Sequence, residues 1–170
     1  MKKDFVIPVL VLTLICLCMS GALAAVNHLT QPVIEKAAAE RAETARREII
    51  PEADDFILLD LDGLPKTVIE AYGTANNTGF VFMVLTSGYG GEIKLMCGID
   101  PDGKIIKSTI LAHGETQGLG TVVFDKASEY EGKDNNLDGI DAVAGATITS
   151  NAYKNGILDA FDAFDIVKTR

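Results

Sequence analysis

The 22 residues from Phe5 to Val26 contain no charged side chain and are mostly apolar. A helix needs about 20 such residues to cross the hydrocarbon core of a bilayer, and a lone segment there must satisfy its own backbone. The run is therefore expected to be a membrane anchor, with Pro8 tolerable near its end. Lys2 and Lys3 precede it, which suits a cytoplasmic N-terminus, although Lys36 and Arg41 on the far side weaken the asymmetry. Ala22-Leu23-Ala24 fits a cleavage site, so a removed signal peptide is the rival reading. The run is long for that, and a retained anchor is expected. Cys16 and Cys18 follow Ile15 and Leu17, where lipid attachment would want a small residue, which disfavours a lipoprotein.

The full 170 residues suffice for this anchor and one domain. Beyond Val26 the chain has 13 basic and 23 acidic residues, a net charge of −10. Such a surface repels nucleic acid and anionic headgroups. The only cysteine outside the apolar run is Cys97. No disulfide framework and no metal cluster is expected, and Cys97 reads as a small apolar strand residue.

Three parts follow: the anchor over 1–27, a juxtamembrane stalk helix over 28–50, and a domain over 51–170. The stalk is expected to start at a Thr30 cap, with Pro32 in the first turn, and to stop at Pro51. Its charges alternate in sign on a solvated face. Strands are expected at Phe56–Leu61, Thr67–Tyr72, Phe80–Thr86, Glu92–Ile99 and Lys104–Leu111, and Asp102-Gly103 marks a hairpin between the last two. Tyr89-Gly90-Gly91 is a turn. Val122 to Ile140 is charged and turn-rich, without the ordered spacing of a calcium loop. At the end, Tyr153, Ile157, Ala160, Phe161 and Phe164 recur at helical spacing. The fold class is α+β: an antiparallel sheet covered by a C-terminal helix.

Two stretches bear on chemistry. Asp141-Ala-Val-Ala-Gly-Ala-Thr147 leads into that helix, followed by Ile148, Thr149 and Ser150. Thr149 or Ser150 is the natural N-cap, so Thr147 is expected just before the helix N-terminus, where amides and dipole favour phosphate. Gly145 and Ala146 let a bulky group approach the backbone. An ordinary loop and cap reads the same way from spacing alone. A threonine hydroxyl is a weak nucleophile without a base or metal, and only Asp141 is near, so Thr147 reads as a tether rather than a nucleophile. No independent catalytic constellation is visible.

This stretch resembles the Asp-x-x-[Ser/Thr]-Gly-Ala-Thr motif of the FMN-binding domain family, which includes the RnfG and NqrC subunits of membrane redox complexes. The resemblance implies FMN on Thr147 through a phosphoester, attached by a separate magnesium-dependent flavin transferase that recognises Asp141, Gly145 and Ala146. Ala144 departs from the motif.

The second stretch is His113-Gly-Glu-Thr-Gln-Gly-Leu-Gly120. Its three glycines imply exposed amides that can bond the polar edge of a flavin, with Thr116 adding a hydroxyl and Leu119 packing on the ring. It is similar to the family's Glu-Thr-Pro-Gly-Leu-Gly motif, with Gln117 in place of proline, which predicts a more flexible loop. Gly88-Tyr-Gly-Gly91 is also similar to a family stretch. Glu115 accepts either from the flavin or from the loop, and His113 reads as structural. The cofactor contacts expected are Glu115, Thr116, Gly118, Leu119, Gly120, Gly145, Ala146 and Thr149.

The resemblance is greatest to RnfG. It implies an electron-carrying subunit of an ion-translocating, ferredoxin-linked NAD oxidoreductase, single-pass in the inner membrane, with its domain on the extracytoplasmic side. Its partners would be the other subunits and the transferase. No Rossmann fingerprint is present, so NAD is not expected here. Two alternatives stand beside this: a stand-alone membrane flavoprotein for extracellular electron transfer, and a non-redox anchored interaction domain.

Overall fold

The computed structural model describes residues 2–169. It divides into two compact units, Met1–Arg41 and Ala42–Arg170. Helix α1 (Lys2–Ile49) contributes to both.

In the first unit, the side chains of Val6, Leu10, Leu14, Leu17 and Leu23 are all exposed. This helix is long and apolar enough to cross a membrane. The expected restart at Thr30 does not occur. Thr30 lies inside α1, and its hydroxyl donates backward to the carbonyls of Val26 and Asn27 at 2.9 and 3.3 Å. That bond takes the hydroxyl away from a capping role.

The second unit contains five strands: β1 (Phe56–Leu58), β2 (Val68–Thr74), β3 (Phe80–Ser87), β4 (Glu92–Ile99) and β5 (Ile105–His113). They form one antiparallel meander in sequence order, each strand beside its chain neighbour. The β4–β5 hairpin pairs Leu95 with Ile110 and Cys97 with Ser108. Its turn is held by Asp100, whose Oδ1 accepts from the amides of Asp102 and Lys104 at 3.0 and 2.8 Å. Gly103 takes the left-handed position there, with φ +82°.

The apolar run of β3 makes sense once both sheet faces are seen to be covered. Phe82 and Val84 point to one core cluster, Val81 and Met83 to the other. The first cluster lies under α3 (Thr147–Lys168), which buries Tyr153, Ile157, Ala160, Phe161 and Phe164, the positions that helical spacing picks out. Burying each of the larger side chains stabilises the fold by about 1.5–3 kcal/mol. The second cluster lies under the last turns of α1, where Ala42, Ala45 and Ile49 share a face. These turns are thus core, not only stalk. Arg46 beside them sits 4.2 Å over the Tyr72 ring and 3.6 Å from the Glu70 carboxylate.

The turn-rich segment after β5 holds a short helix α2 (Val122–Asp125) and a 3-10 turn (Ala127–Tyr130). Tyr130, Leu137 and Phe124 close the end of the first cluster. The Tyr153 and Ser108 hydroxyls meet at 2.8 Å inside it. Cys97 is fully buried, and burial pushes its thiol up to about 12.

Candidate functional site

Three segments converge at one end of the sheet: the β3–β4 turn, the loop after β5, and the start of α3. Between them lies a cleft of about 400 Å³, lined by Tyr89, by Glu115, Thr116, Leu119 and Gly120, and by the run from Gly145 to Thr149. That volume suits a small organic cofactor.

The loop after β5 is tightly organised. Thr116 O accepts from the amides of Leu119 and Gly120 at 3.2 and 3.0 Å. The Gly118 amide donates to Thr121 Oγ1 at 2.9 Å, with Gly118 at φ +77°. The Glu115 amide donates to His113 Nδ1 at 3.2 Å, and the His113 ring lies 5.0 Å from that of Phe124. These amides, expected to face a flavin, are therefore engaged within the loop. The Gln117 position is spanned by this bonding, which holds the loop without a proline.

Glu115 connects the walls. Its carboxylate is buried, and it accepts from the Gly90 amide at 3.0 Å and from the Thr149 hydroxyl at 2.8 Å. Its two oxygens brace the β3–β4 turn and the start of α3, neither of which belongs to its own loop. The backbones of Gly90 and Gly114 touch, so closely that a Cβ on either would collide with the other's carbonyl.

Across the cleft, α3 begins at Thr147 itself, three residues earlier than a Thr149 cap predicts and four earlier than a Ser150 cap. Both of those hydroxyls are buried and otherwise engaged, Thr149 with Glu115 and Ser150 with Ala146 O and the Val143 amide. The residue before the helix is Ala146, and no side chain caps it. The first ladder bond is Ser150 N to Ala146 O at 2.9 Å. The amides of Thr147, Ile148 and Thr149 precede it and have no intrahelical acceptor. This helix start therefore offers a group of amide donors suited to an anion. Gly145, with φ +83°, turns the chain into the helix, and Thr147 is left exposed.

The mouth is apolar. Tyr89 is 72 % exposed, Ile148 56 % and Leu119 51 %, so three large side chains stand in solvent around one opening. Such a surface is complementary to a flat apolar ring. Tyr89 and Ile148 are not among the contacts expected from sequence. Tyr89 reads there as part of a turn, and Ile148 is given no role. Of the expected contacts, Gly118 does not line the cleft. Asp141 is exposed outside it, bordering a small indentation with Val143 and Ser150.

Residues 88–162 match the model of the FMN-binding domain. The chain is 30 % identical to the G subunit of the proton-translocating ferredoxin:NAD(+) oxidoreductase complex of Clostridium ljungdahlii, over 89 % of this chain and 86 % of that protein. It is 30 % identical to the Na(+)-translocating counterpart of Acetobacterium woodii, over 87 % and 86 %. Identity reaches 33 % with the G subunit of the ion-translocating oxidoreductase complex of Shewanella piezotolerans, over 92 % and 88 %.

The chain belongs to the RnfG family of ion-translocating oxidoreductase subunits.

Within this family the cleft has a ready interpretation, because the matched domain, which binds FMN, contains all three of its segments. The residues present fit that group. An uncapped helix start suits a phosphate, and an apolar mouth suits the ring system.

Proposed function

We propose that this RnfG relative is an electron-transfer subunit of a membrane-bound, ion-translocating ferredoxin:NAD oxidoreductase complex, carrying FMN joined to Thr147 by a phosphoester. The observation that carries the reading is the setting of Thr147. It is the first residue of α3, exposed, at the wall of a cleft of cofactor size.

The neighbouring hydroxyls support Thr147 as the modified one. Thr149 and Ser150 are buried in hydrogen bonds, so a modifying enzyme finds one accessible hydroxyl in the motif. Gly145 and Asp141 are exposed beside it, which suits recognition by a flavin transferase. Ala144 is exposed as well, so a hydroxyl missing there leaves no buried group unpaired.

FMN in this cleft would supply one- and two-electron redox chemistry. The protein's part is to hold and shield. The first-turn amides of α3 would hold the phosphate, Leu119, Ile148 and Tyr89 would shield the ring, and Glu115 keeps the walls together. A covalent tether prevents loss of the cofactor outside the cytoplasm. The single apolar helix anchors the domain as one pass, with the N-terminus in the cytoplasm and the domain on the extracytoplasmic face. The roles named for the relatives favour other subunits of such a complex as redox partners over a stand-alone role.

The test is a denaturing gel of the full chain co-produced with a flavin transferase. In-gel flavin fluorescence is expected in the wild type and not in Thr147→Ala. Fluorescence in both would move the tether to another residue. A dark wild type beside a labelled control substrate would remove the covalent-flavin reading.

A further inference from the structure

Glu115 is the buried acid of the cleft, and its surroundings are unusual for a charge. Among the described residues no lysine, arginine or histidine forms an ion pair with it. Its oxygens are met by two neutral donors, the Gly90 amide and the Thr149 hydroxyl. Each oxygen of the carboxyl group thus has one hydrogen-bond partner, and neither partner carries a charge. The site is also shaped around it. A Cβ added at Gly88 would strike Oε1, and one added at Gly120 would strike Oε2.

A carboxylate that only tied two loops together could be replaced by a neutral pair at lower desolvation cost. This one stands in the wall of the cleft with no cationic partner among the described residues. A fixed negative charge in a low-dielectric wall opposes the arrival of further negative charge nearby.

We infer that Glu115 is a positioning residue that also sets the redox potential of the flavin, holding it low through its uncompensated charge. The inference rests on the proposed FMN site. The two donors temper the effect, and Thr149 is the one that reaches across the cleft. Glu115→Gln keeps the length of the side chain and an oxygen for one donor, while its amide can donate to the hydroxyl of Thr149. It removes the charge. Thr149→Val removes a donor and keeps the charge.

The two changes therefore push in opposite directions. Full-length protein co-produced with the transferase is titrated spectroelectrochemically, and the midpoint potential is taken only from the flavin-loaded fraction. Glu115→Gln is expected to shift the potential positive, and Thr149→Val to shift it negative. A purely structural brace would move both the same way or neither, and either pattern overturns the inference. If Glu115→Gln does not accumulate, the sign of the Thr149→Val shift decides alone. A labelled wild type with unshifted variants overturns this inference and leaves the FMN reading intact. A dark wild type overturns both.

Discussion

The hydroxyl of Thr149 donates to Oε2 of Glu115 at 2.8 Å, joining the first turn of α3 to a loop 34 residues earlier in the chain. The bond is buried, and its acceptor is a carboxylate. Bonds to charged groups contribute about 1.5–3 kcal/mol, more than neutral ones. Thr149→Val should therefore lower the stability of the domain by about 1.5–3 kcal/mol and its melting temperature by several degrees. Calorimetry on the apoprotein checks this without any cofactor. An unchanged melting temperature would mean that the two walls are held by other contacts.

Gly145 has φ +83°, and the nearest atom to an added Cβ is Leu119 Cδ1 at an ordinary 3.8 Å. Space is not the constraint; backbone conformation is. Gly145→Ala should cost about 1–2 kcal/mol, and Gly145→Asn less, because asparagine tolerates the left-handed region. The expected order in urea midpoint is Gly, Asn, Ala. Labelling of Thr147 should fall in the same order, since the strain is relieved by shifting the helix start.

At Gly90 the constraint is steric. A Cβ there meets the Gly114 carbonyl, which is backbone and has little room to move. Gly90→Ala should part the β3–β4 turn from the loop after β5, weaken the Gly90–Glu115 bond, and cost about 1–3 kcal/mol. Hydrogen exchange should quicken in residues 113–120 while the centre of β4 keeps its protection. Uniform quickening across the sheet would argue against a local effect.

Alkali should destabilise the domain. The Cys97 thiol moves from 9.0 to about 12 through burial. The Tyr130 phenol moves from 10.0 to about 12 through burial and the Glu129 charge. Burial also raises the Tyr153 phenol, against the lowering effect of its bond to Ser108. In each case the folded state keeps a proton that the unfolded chain loses, so stability is full below about pH 9 and falls above it. Each group contributes up to about 1.4 kcal/mol per pH unit. Urea midpoints from pH 8 to 11 should show this decline, with its onset delayed in Cys97→Ala. A flat profile would contradict it.

Much of the fold is legible because the local signals agree. The turn at Asp102-Gly103 and the alternation on either side specify the β4–β5 hairpin, and the spacing from Tyr153 to Phe164 specifies the buried face of α3. What misleads is any hydroxyl that bonds something other than a first-turn amide. Thr30, Thr149 and Ser150 all read as caps, because capping is the commonest local use of such residues. Thr149 instead serves Glu115, 34 positions away, and no local pattern encodes that. The site is legible in outline for the same reason. Its glycines and threonines are conspicuous, whereas Tyr89 and Ile148 become cleft residues only when three separate segments meet. The packing of Ala42, Ala45 and Ile49 on the sheet is hidden too, since the charges around them mark a solvated face and a simple stalk, and small alanines give little sign of a buried one.

The order of the meander has one more consequence. Strands β1 to β5 pair only with their chain neighbours, so the sheet can close hairpin by hairpin. The second wall of the cleft comes from α3, which follows all five strands in the chain. Until that helix docks, Thr147 has no cleft beside it and Glu115 lacks its second donor. For an enzyme that recognises Thr147 at the mouth of a formed cleft, a half-folded chain is not a substrate. Under the proposed function, attachment at this residue would then serve as a checkpoint, marking the chains whose α3 has found its place.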